Sequence, residues 1–120
     1  MPVTSNNQNT RVYKTKDGSL IRERIHPSLH QNKNQSLAEA TIPAHSQTQR
    51  HYHQHSEEIY FVVQGKGEMF LHNETFLIQS GDSIVIPTGQ HHSLNNPYDK
   101  DLIVLCCCAP AYAHEDTFLV

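Results

Sequence analysis

The sequence predicts an all-β fold in which antiparallel strands form a two-sheet sandwich or barrel. Short segments rich in alternating, β-branched or aromatic residues recur along the chain, and Gly, Pro, Asn and Asp separate them at regular intervals. No segment has a convincing amphipathic helical pattern, and the chain has no internal repeat. A length of 120 residues is enough for one domain with a real core. Short, evenly spaced strands of this kind are typical of small β-sandwiches and barrels.

The two ends of the chain differ from its middle. Residues 1–10 are polar and rich in Asn, which favours a flexible N-terminal tail ahead of a single domain over residues 11–120. The last stretch, residues 109–120, carries Pro110 and an acidic cluster. We expect this stretch to pack on the outside of the domain or against a second subunit.

Turn residues delimit the strands between these ends. Residues 37–42 are compatible with a helical turn or a strand, and their Thr-Ile-Pro ending favours a strand that stops at Pro43. Gly, Asn and Asp mark the later turns. The predicted elements are a turn at 16–19, an extended segment at 20–25, a loop at 26–36, a strand ending at Gly65, and strands at 37–42, 68–71, 75–78, 83–86, 91–95 and 102–108.

Composition and charge argue against several classes of function. The net charge is −3 with neutral histidines, so no basic surface indicates nucleic acid. No apolar run approaches the roughly 20 residues of a membrane helix, and the polar N-terminus lacks the apolar core of a signal peptide. The three cysteines are consecutive at 106–108, which fits neither a CxxC metal knuckle nor a disulfide framework. We therefore expect a reduced, cytoplasmic protein that binds neither nucleic acid nor membrane.

The strongest chemical signal is the density of histidine in the middle of the chain. Ten of the 120 residues are histidine, and His51 and His53 lie two apart in an extended segment, so their side chains share a face. Glu57 and Glu58 follow a few residues later. Imidazole and carboxylate groups together suit Zn, Fe, Mn, Ni or Cu. Spacing alone leaves alternatives open, because His55 lies on the same side as His51 and His53, and Glu57 could replace Glu58.

Two motifs give the chain a resemblance to the cupins. The first spans about residues 45–65, and its pattern HxH-x(3 or 4)-E-x6-G is met by His51, His53, Glu58 and Gly65. The second spans residues 81–96, and its pattern G-x5-P-x-G-x2-H-x3-N is met at every position by Gly81, Pro87, Gly89, His92 and Asn96. One position departs from the family, since His45 stands where the first motif has its leading glycine. With both motifs in order, the chain resembles a small single-domain metal-binding cupin.

The resemblance implies a fold, a ligand set and a cofactor. It implies an antiparallel double-sheet jelly-roll barrel, in which one divalent transition metal per chain is held by His51, His53, Glu58 and His92. Glu58 is preferred to Glu57 because it lies seven residues before Gly65, as the motif requires. Four such ligands leave open positions on an octahedral metal for water or substrate.

Further residues near the motifs are candidates for the pocket. His45 adds a titratable group near the barrel mouth, and Tyr60 shares a face with Glu58, so both are candidate catalytic residues. His91 neighbours His92 and is therefore expected on the opposite face of that strand.

The resemblance leaves the reaction open, because one fold hosts many chemistries. We expect a metal-dependent enzyme of the oxygenase, isomerase or lyase type that acts on a small polar organic molecule. The alternative is a non-catalytic module that binds or senses a small ligand. Arg50 and Lys66 are the basic residues of the motif region, and Arg50 should point away from the His51 face. A strongly anionic substrate therefore has no evident clamp.

The terminal segments predict an assembly. Residues 20–25 and 112–120 contain alternating apolar and charged positions, as strands do when they lie along another surface. A small barrel has sheet edges that need covering, and the resemblance implies a dimer through outer sheet faces with exchanged terminal strands. We expect a homodimer in which each subunit has its own metal site. The competing arrangement is a monomer whose termini fold back on their own barrel.

Overall fold

The chain forms two facing sheets of antiparallel strands, seen in a computed structural model that describes residues 2–120. The strands are β1 (Val12–Lys14), β2 (Leu20–Ile25), β3 (Ser36–Ile42), β4 (Ser46–Gln47), β5 (His51–His53), β6 (Glu57–Gln64), β7 (Lys66–Leu71), β8 (Glu74–Gln79), β9 (Ser83–Ile86), β10 (His92–Asn96), β11 (Leu102–Ala109) and β12 (Thr117–Leu119). These residues also form one short helix, α1 (Pro27–His30), and a 3-10 turn (His114–Asp116). The predicted all-β, double-sheet jelly-roll class is confirmed.

The strand order places consecutive elements on both walls of the interior. The first sheet has the order β1–β2–β3–β11–β6–β9, and the second has the order β12–β5–β10–β7–β8, with β4 paired to β10. β5 and β6 are consecutive in the chain but belong to different sheets. Because the chain crosses between the sheets at this point, motif 1 can present side chains from two opposite walls.

Alternating burial along the strands builds the core. Every second residue of β6 and β11 is buried for most of each strand, as the period of two requires. Val62, Met69, Leu102 and Val104 are fully buried between the sheets. Burial of each such side chain contributes roughly 1.5–3 kcal/mol. The same alternation turns Glu58 of β6 towards the interior.

Gly65 of motif 1 has a backbone role. Its φ is +86°, in the left-handed region, and a Cβ atom there would lie 2.6 Å from the carbonyl oxygen of Asp101. Any other residue would strain the turn or displace the neighbouring backbone. The glycine is therefore explained by the β6–β7 turn.

The structure contains short elements that the sequence did not predict. Within the predicted loop 26–36, α1 forms because His26 Nδ1 accepts a hydrogen bond from Ser28 N at 3.1 Å and Pro27 fits the first turn of a helix. β1 and the two-residue β4 are defined by their pairing with β2 and β10. Neither helical element of residues 2–120 has the length and apolar character needed to cross a membrane.

The two segments predicted to lie along another surface contain β2 and β12, and both strands pair within the chain. β2 pairs with β3, and β12 pairs with β5, where Thr117 lies opposite His53. Exchange of terminal strands between two subunits stays a prediction. Part of the predicted N-terminal tail also contacts β2, because Arg22 and Arg24 donate hydrogen bonds to Asn7 at 3.0 and 2.6 Å.

Candidate metal centre

The four ligands that the motifs imply lie together between the sheets. His51 and His53 are on β5 and His92 is on β10, with His51 and His92 paired directly opposite each other. Glu58 reaches the same place from β6 in the facing sheet. All four residues are buried, with at most 6% of their surface exposed. Alternation within each strand explains why these residues, and not their neighbours, face inward.

The distances bring the three imidazoles within reach of one ion, and they place Glu58 against two of those imidazoles. One nitrogen from each of the three imidazoles lies within 4.8 Å of the others. Glu58 Oε1 is 3.3 Å from His53 Nε2 and 3.5 Å from His92 Nε2. Adjacent ligands that bind a metal at roughly 2.1 Å are separated by about 3 to 3.5 Å. The four residues could therefore hold a single metal ion.

Hydrogen bonds at the other ring nitrogens fix the tautomers of His51 and His92. His51 Nδ1 is 2.9 Å from the carbonyl oxygen of Gln49, and His92 Nδ1 is 2.9 Å from that of Gln90. A carbonyl oxygen can only accept, so both Nδ1 atoms carry a proton. In the neutral rings, Nε2 is then an unprotonated nitrogen whose lone pair points to the centre.

His53 has the same tautomer for a less direct reason. Its Nδ1 is 3.1 Å from the hydroxyl of Thr117, and that hydroxyl is 3.0 Å from the carbonyl oxygen of Ala113. Thr117 donates its one proton to Ala113, so it accepts a hydrogen bond from His53 Nδ1. A residue near the end of the chain thus orients an imidazole of motif 1.

The donor set fits a cation because two of its facing atoms lack a hydrogen-bond partner in the described chain. Glu58 Oε1 and His92 Nε2 are buried, and neither has a hydrogen-bond partner among residues 2–120. Buried polar atoms without partners are rare and cost about 1–3 kcal/mol each. A divalent ion bound to the three Nε2 atoms and the carboxylate oxygen would remove that cost.

The charge states also suit metal binding. Burial raises the pKa of the Glu58 carboxyl, but the imidazoles of His53 and His92 outweigh this effect and hold the pKa well below its usual range. Burial, together with the nearby His92, lowers the pKa of His51 from its ordinary 6.5 to about 4. At neutral pH Glu58 is therefore ionised and His51 is neutral, the state in which each group binds a metal.

A cavity of about 50 Å³ opens beside these residues. Tyr60, Cys106 and Cys108 form part of its wall, and Asp17 approaches it from the turn between β1 and β2. A cavity of this size holds on the order of four water molecules or one small organic group. Among the described residues that line it there is no Arg or Lys, so the cavity offers an anion no cationic clamp.

Tyr60 and Cys108 lie next to the candidate ligands. The Tyr60 ring is edge-on to His92 with ring centres 6.1 Å apart, and burial followed by the nearby Glu58 raises the pKa of its phenol. Burial followed by Glu58 also raises the pKa of the Cys108 thiol. Both groups stay protonated at neutral pH. Cys108 Sγ donates to Glu58 Oε2 at 3.3 Å and so helps to orient the carboxylate.

His45 lies away from the cavity. Its side chain is exposed, and its Nε2 is 2.8 Å from Asp99 Oδ1. Its φ of +59° is in the left-handed region, which explains why a glycine suits this position in the family motif. The structure therefore places this catalytic candidate at a surface turn, whereas Tyr60 lines the cavity.

The alternative ligands His55 and His91 also face outward. The His55 ring is exposed and its Nδ1 is 2.8 Å from Asp116 Oδ1. The His91 ring stacks on Tyr52 with ring centres 5.1 Å apart. Arg50 points away from the site as expected, since its guanidinium lies 3.6 Å from the centre of the Phe70 ring.

Sequence reasoning missed the residues that support the ligands from a distance. Asp17, Thr117 and Cys108 contact His51, His53 and Glu58, respectively. Each contact joins segments far apart in the chain, so no local spacing reveals it. The sequence predicted residues 16–19 as a turn but gave no role to Asp17.

Comparisons with known proteins place these residues in a family. Residues 38–108 match the family model described as Cupin domain. An uncharacterized protein of Methanocaldococcus jannaschii is 49% identical over 105 residues, which are 88% of this chain and 84% of that protein.

Solved structures share the fold at low identity. The nucleoside dehydratase Pac13 of Streptomyces superposes with a TM-score of 0.81 at 16% identity, covering 100% of this chain and 92% of that chain. A predicted oxalate decarboxylase of Thermotoga maritima superposes with a TM-score of 0.75 at 23% identity, covering 92% of this chain and 99% of that chain. Because the family match spans more than half of the chain and includes all four candidate ligands, this protein belongs to the cupin family.

Proposed function

We propose that this cupin is a metal-dependent enzyme of the oxygenase, isomerase or lyase type that acts on a small polar organic molecule. The observation that supports the proposal is the meeting of three buried imidazoles and a buried carboxylate, where Glu58 Oε1 and His92 Nε2 have no hydrogen-bond partner among residues 2–120. The cofactor is one divalent transition metal per chain, Mn, Fe, Ni, Cu or Zn, bound by His51, His53, Glu58 and His92.

Groups of the chain hold the candidate ligands in place and offer a hydrogen-bond donor to a bound molecule. A metal bound there would supply a Lewis acid next to a substrate oxygen. Backbone carbonyls and Thr117 hold the three imidazoles in place, and Cys108 holds Glu58. Tyr60 stays protonated on the cavity wall and can donate a hydrogen bond to a bound molecule.

The cavity favours a reactive centre over a purely structural one. Structural metal sites are closed by protein ligands, whereas catalytic sites keep a position open to water or substrate. Here a cavity of about 50 Å³ adjoins the ligands. Its wall combines apolar side chains with hydroxyl and carboxylate groups and, within the described chain, has no Arg or Lys. The substrate that fits is small, polar and without a strong negative charge.

The test is metal analysis followed by a reaction screen. Purified protein would be stripped, reloaded with each of the five ions and assayed for bound metal, and we expect close to one ion per chain. Loaded and stripped protein would then be incubated with small polar metabolites, and their consumption followed by NMR. Consumption only with metal supports an enzyme, and binding without consumption supports the non-catalytic alternative. Less than about a tenth of an equivalent of every ion would contradict the metal site.

We also propose that the chain forms a homodimer through the outer face of the first sheet. Four apolar side chains, Ile59, Phe61 and Val63 of β6 and Val85 of β9, are exposed on this face. β6 and β9 are paired, with Ile59 opposite Val85, so these side chains are neighbours. Light scattering should give about twice the chain mass of 13.7 kDa. A mass of one chain, or a Phe61→Glu variant that stays dimeric, would contradict this interface.

A further inference from the structure

The turn between β1 and β2 brings a second carboxylate to the metal centre. Residues 15–19 form a hairpin turn in which Thr15 N donates to the Ser19 carbonyl oxygen and Gly18 N donates to the Thr15 carbonyl oxygen, both at 3.0 Å. Within this turn, Asp17 Oδ2 lies 3.6 Å from His51 Nε2. The distances from Glu58 Oε1 to the other two imidazoles are similar, 3.3 and 3.5 Å.

The two carboxylate oxygens of Asp17 have different partners. Oδ1 accepts hydrogen bonds from Ser19 N at 2.9 Å, from the Ser19 hydroxyl at 2.7 Å and from the Thr15 hydroxyl at 2.5 Å. Oδ2 faces His51 Nε2, which has no proton because Nδ1 of that ring donates to the carbonyl of Gln49. Two acceptors therefore face each other here, as Glu58 and His92 do on the other side of the centre.

Contacts with two other elements hold this turn over the cavity. Gln49 N donates to the Asp17 carbonyl oxygen at 2.7 Å, two residues before His51. Lys16 Nζ donates to the carbonyl oxygens of His114 and Thr117 at 2.8 and 3.0 Å. The turn is thus attached to the segment that carries one ligand and to the segment that orients another. The Asp17 side chain is only 13% exposed.

We propose that Asp17 is an additional ligand of the bound metal, so that the loaded centre has three histidines and two carboxylates. The inference rests on the proposed metal site. Two carboxylates neutralise a divalent ion in a buried site, where an uncompensated charge is costly. Asp17 approaches His51, whereas Glu58 approaches His53 and His92, so the two carboxylates meet different parts of the ligand set. An octahedral ion with these five ligands keeps one position for water or substrate.

The test is the Asp17→Asn variant. Its side-chain carbonyl can still accept the hydrogen bonds within the turn, while an uncharged amide replaces Oδ2. We expect the affinity for Mn²⁺, measured by calorimetry, to fall by more than about 100-fold, beyond the 10–100-fold that loss of a supporting partner costs. We also expect the visible absorption of bound Co²⁺ to change, because it responds to the number and type of ligands. This spectrum reports on the metal without any assay of activity.

Two control variants separate direct binding from indirect effects. Asp99→Asn makes the same charge change at a side chain that is 92% exposed, and it should leave Mn²⁺ affinity within about twofold of wild type. Ser19→Ala weakens the turn but keeps the carboxylate, and it should keep the wild-type Co²⁺ spectrum.

The possible failures are distinguishable. Wild-type affinity and spectrum in Asp17→Asn would overturn the role of Asp17 while leaving the four-ligand site intact. A spectral change in Ser19→Ala equal to that in Asp17→Asn would show that the conformation of the turn, and not the Asp17 carboxylate, alters the metal centre. A wild-type chain that binds no ion would overturn both the site and this extension of it.

Discussion

The two ends of the barrel interior are formed by the same strands. Buried polar atoms lack hydrogen-bond partners at one end and have them at the other. The site end contains His51, His53, Glu58 and His92, and the closed end contains Val62, Met69, Leu102, Val104 and Asn96. On β6 the inward residues run from Glu58 through Tyr60 to Val62, and on β10 they run from His92 to Asn96. One regular pattern of alternation therefore supplies both the candidate site and a core.

Asn96 and His92 show what separates the two ends. Both are fully buried, and both are fixed positions of motif 2. Asn96 Nδ2 donates to the carbonyl oxygens of Ile42 and Lys100 at 3.0 and 2.8 Å, and its Oδ1 accepts from Tyr98 N at 3.1 Å. His92 Nε2 has no such partner in the described chain. In this pair, the unsatisfied inward atom, rather than burial or motif membership, distinguishes the candidate ligand His92 from the structural residue Asn96.

The largest effect should come from His92→Ala. Removing one of four ligands should lower metal affinity by more than about 1,000-fold, because loss of a mere supporting partner already costs 10–100-fold. The matched control is His91→Ala, which removes the neighbouring imidazole from the outer surface. Calorimetric titration of both variants measures the difference. Equal affinity in the two variants would show that the inward histidine is not a ligand.

Asn96→Ala should destabilise the folded chain without changing the metal affinity of the site. The variant leaves the buried carbonyl oxygen of Ile42 and the partly buried Lys100 carbonyl and Tyr98 N–H without their partner, so we expect a loss of about 1–3 kcal/mol in the free energy of unfolding. Metal affinity per folded chain should stay at the wild-type value. Urea unfolding and a metal titration of the same preparation check both statements. A stable variant that has lost its metal would mean that Asn96 belongs to the site.

Sequence reasoning succeeded where the information is local. His51, His53 and His92 face inward because of strand periodicity, and the family motifs choose Glu58 over Glu57. The same rule turns His91 outward. The fold class follows from the spacing of turns, which the sequence displays directly.

The sequence could not predict contacts that depend on long-range pairing. Thr117 reaches His53 only because β12 is added to β5 at the edge of the second sheet, and this register has no local signature. Asp17 reaches His51 because the β1–β2 turn folds over the barrel mouth. His45 was expected near that mouth, but its positive φ belongs to a surface turn.

Thr117→Val tests whether the C-terminal strand tunes the site. The change removes the hydroxyl that fixes the His53 tautomer while keeping a β-branched side chain, so metal affinity should fall about 10–100-fold. Thr48→Val is the matched control, since that buried hydroxyl accepts from Leu94 N at 2.9 Å and supports a backbone position. The control should lower stability and leave metal affinity unchanged. Similar affinity losses in both variants would attribute the effect to general loosening of the barrel.

The smallest effect concerns Asp116, which joins the C-terminal segment to the loop between β5 and β6. Its Oδ1 accepts hydrogen bonds from the backbone N of His55 at 2.9 Å and from the His55 ring at 2.8 Å, and its Oδ2 accepts from Ser56 N at 3.1 Å. Burial tends to raise the pKa of Asp116, but the bonds from His55 and Ser56 lower it below its ordinary 3.8. The ionised carboxylate therefore stabilises the folded state.

The sign of the pH dependence follows from that lowered pKa. A carboxylate with a lower pKa in the folded state contributes its full stabilisation above the unfolded-state value and loses it as the pH falls through the folded-state value. In metal-free protein, Asp116→Asn should lower the free energy of unfolding by about 1 kcal/mol at pH 7, and the difference from wild type should shrink as the pH falls below the ordinary carboxyl pKa and through the lowered folded-state pKa. Urea unfolding at pH 7, 5, 4 and 3 measures this difference. Asp99→Asn, at an exposed carboxylate, should differ from wild type by less than about 0.5 kcal/mol throughout. A constant difference for Asp116→Asn from pH 7 to 3 would show that packing, and not the ionised carboxylate, holds the C-terminal segment against the site end of the barrel.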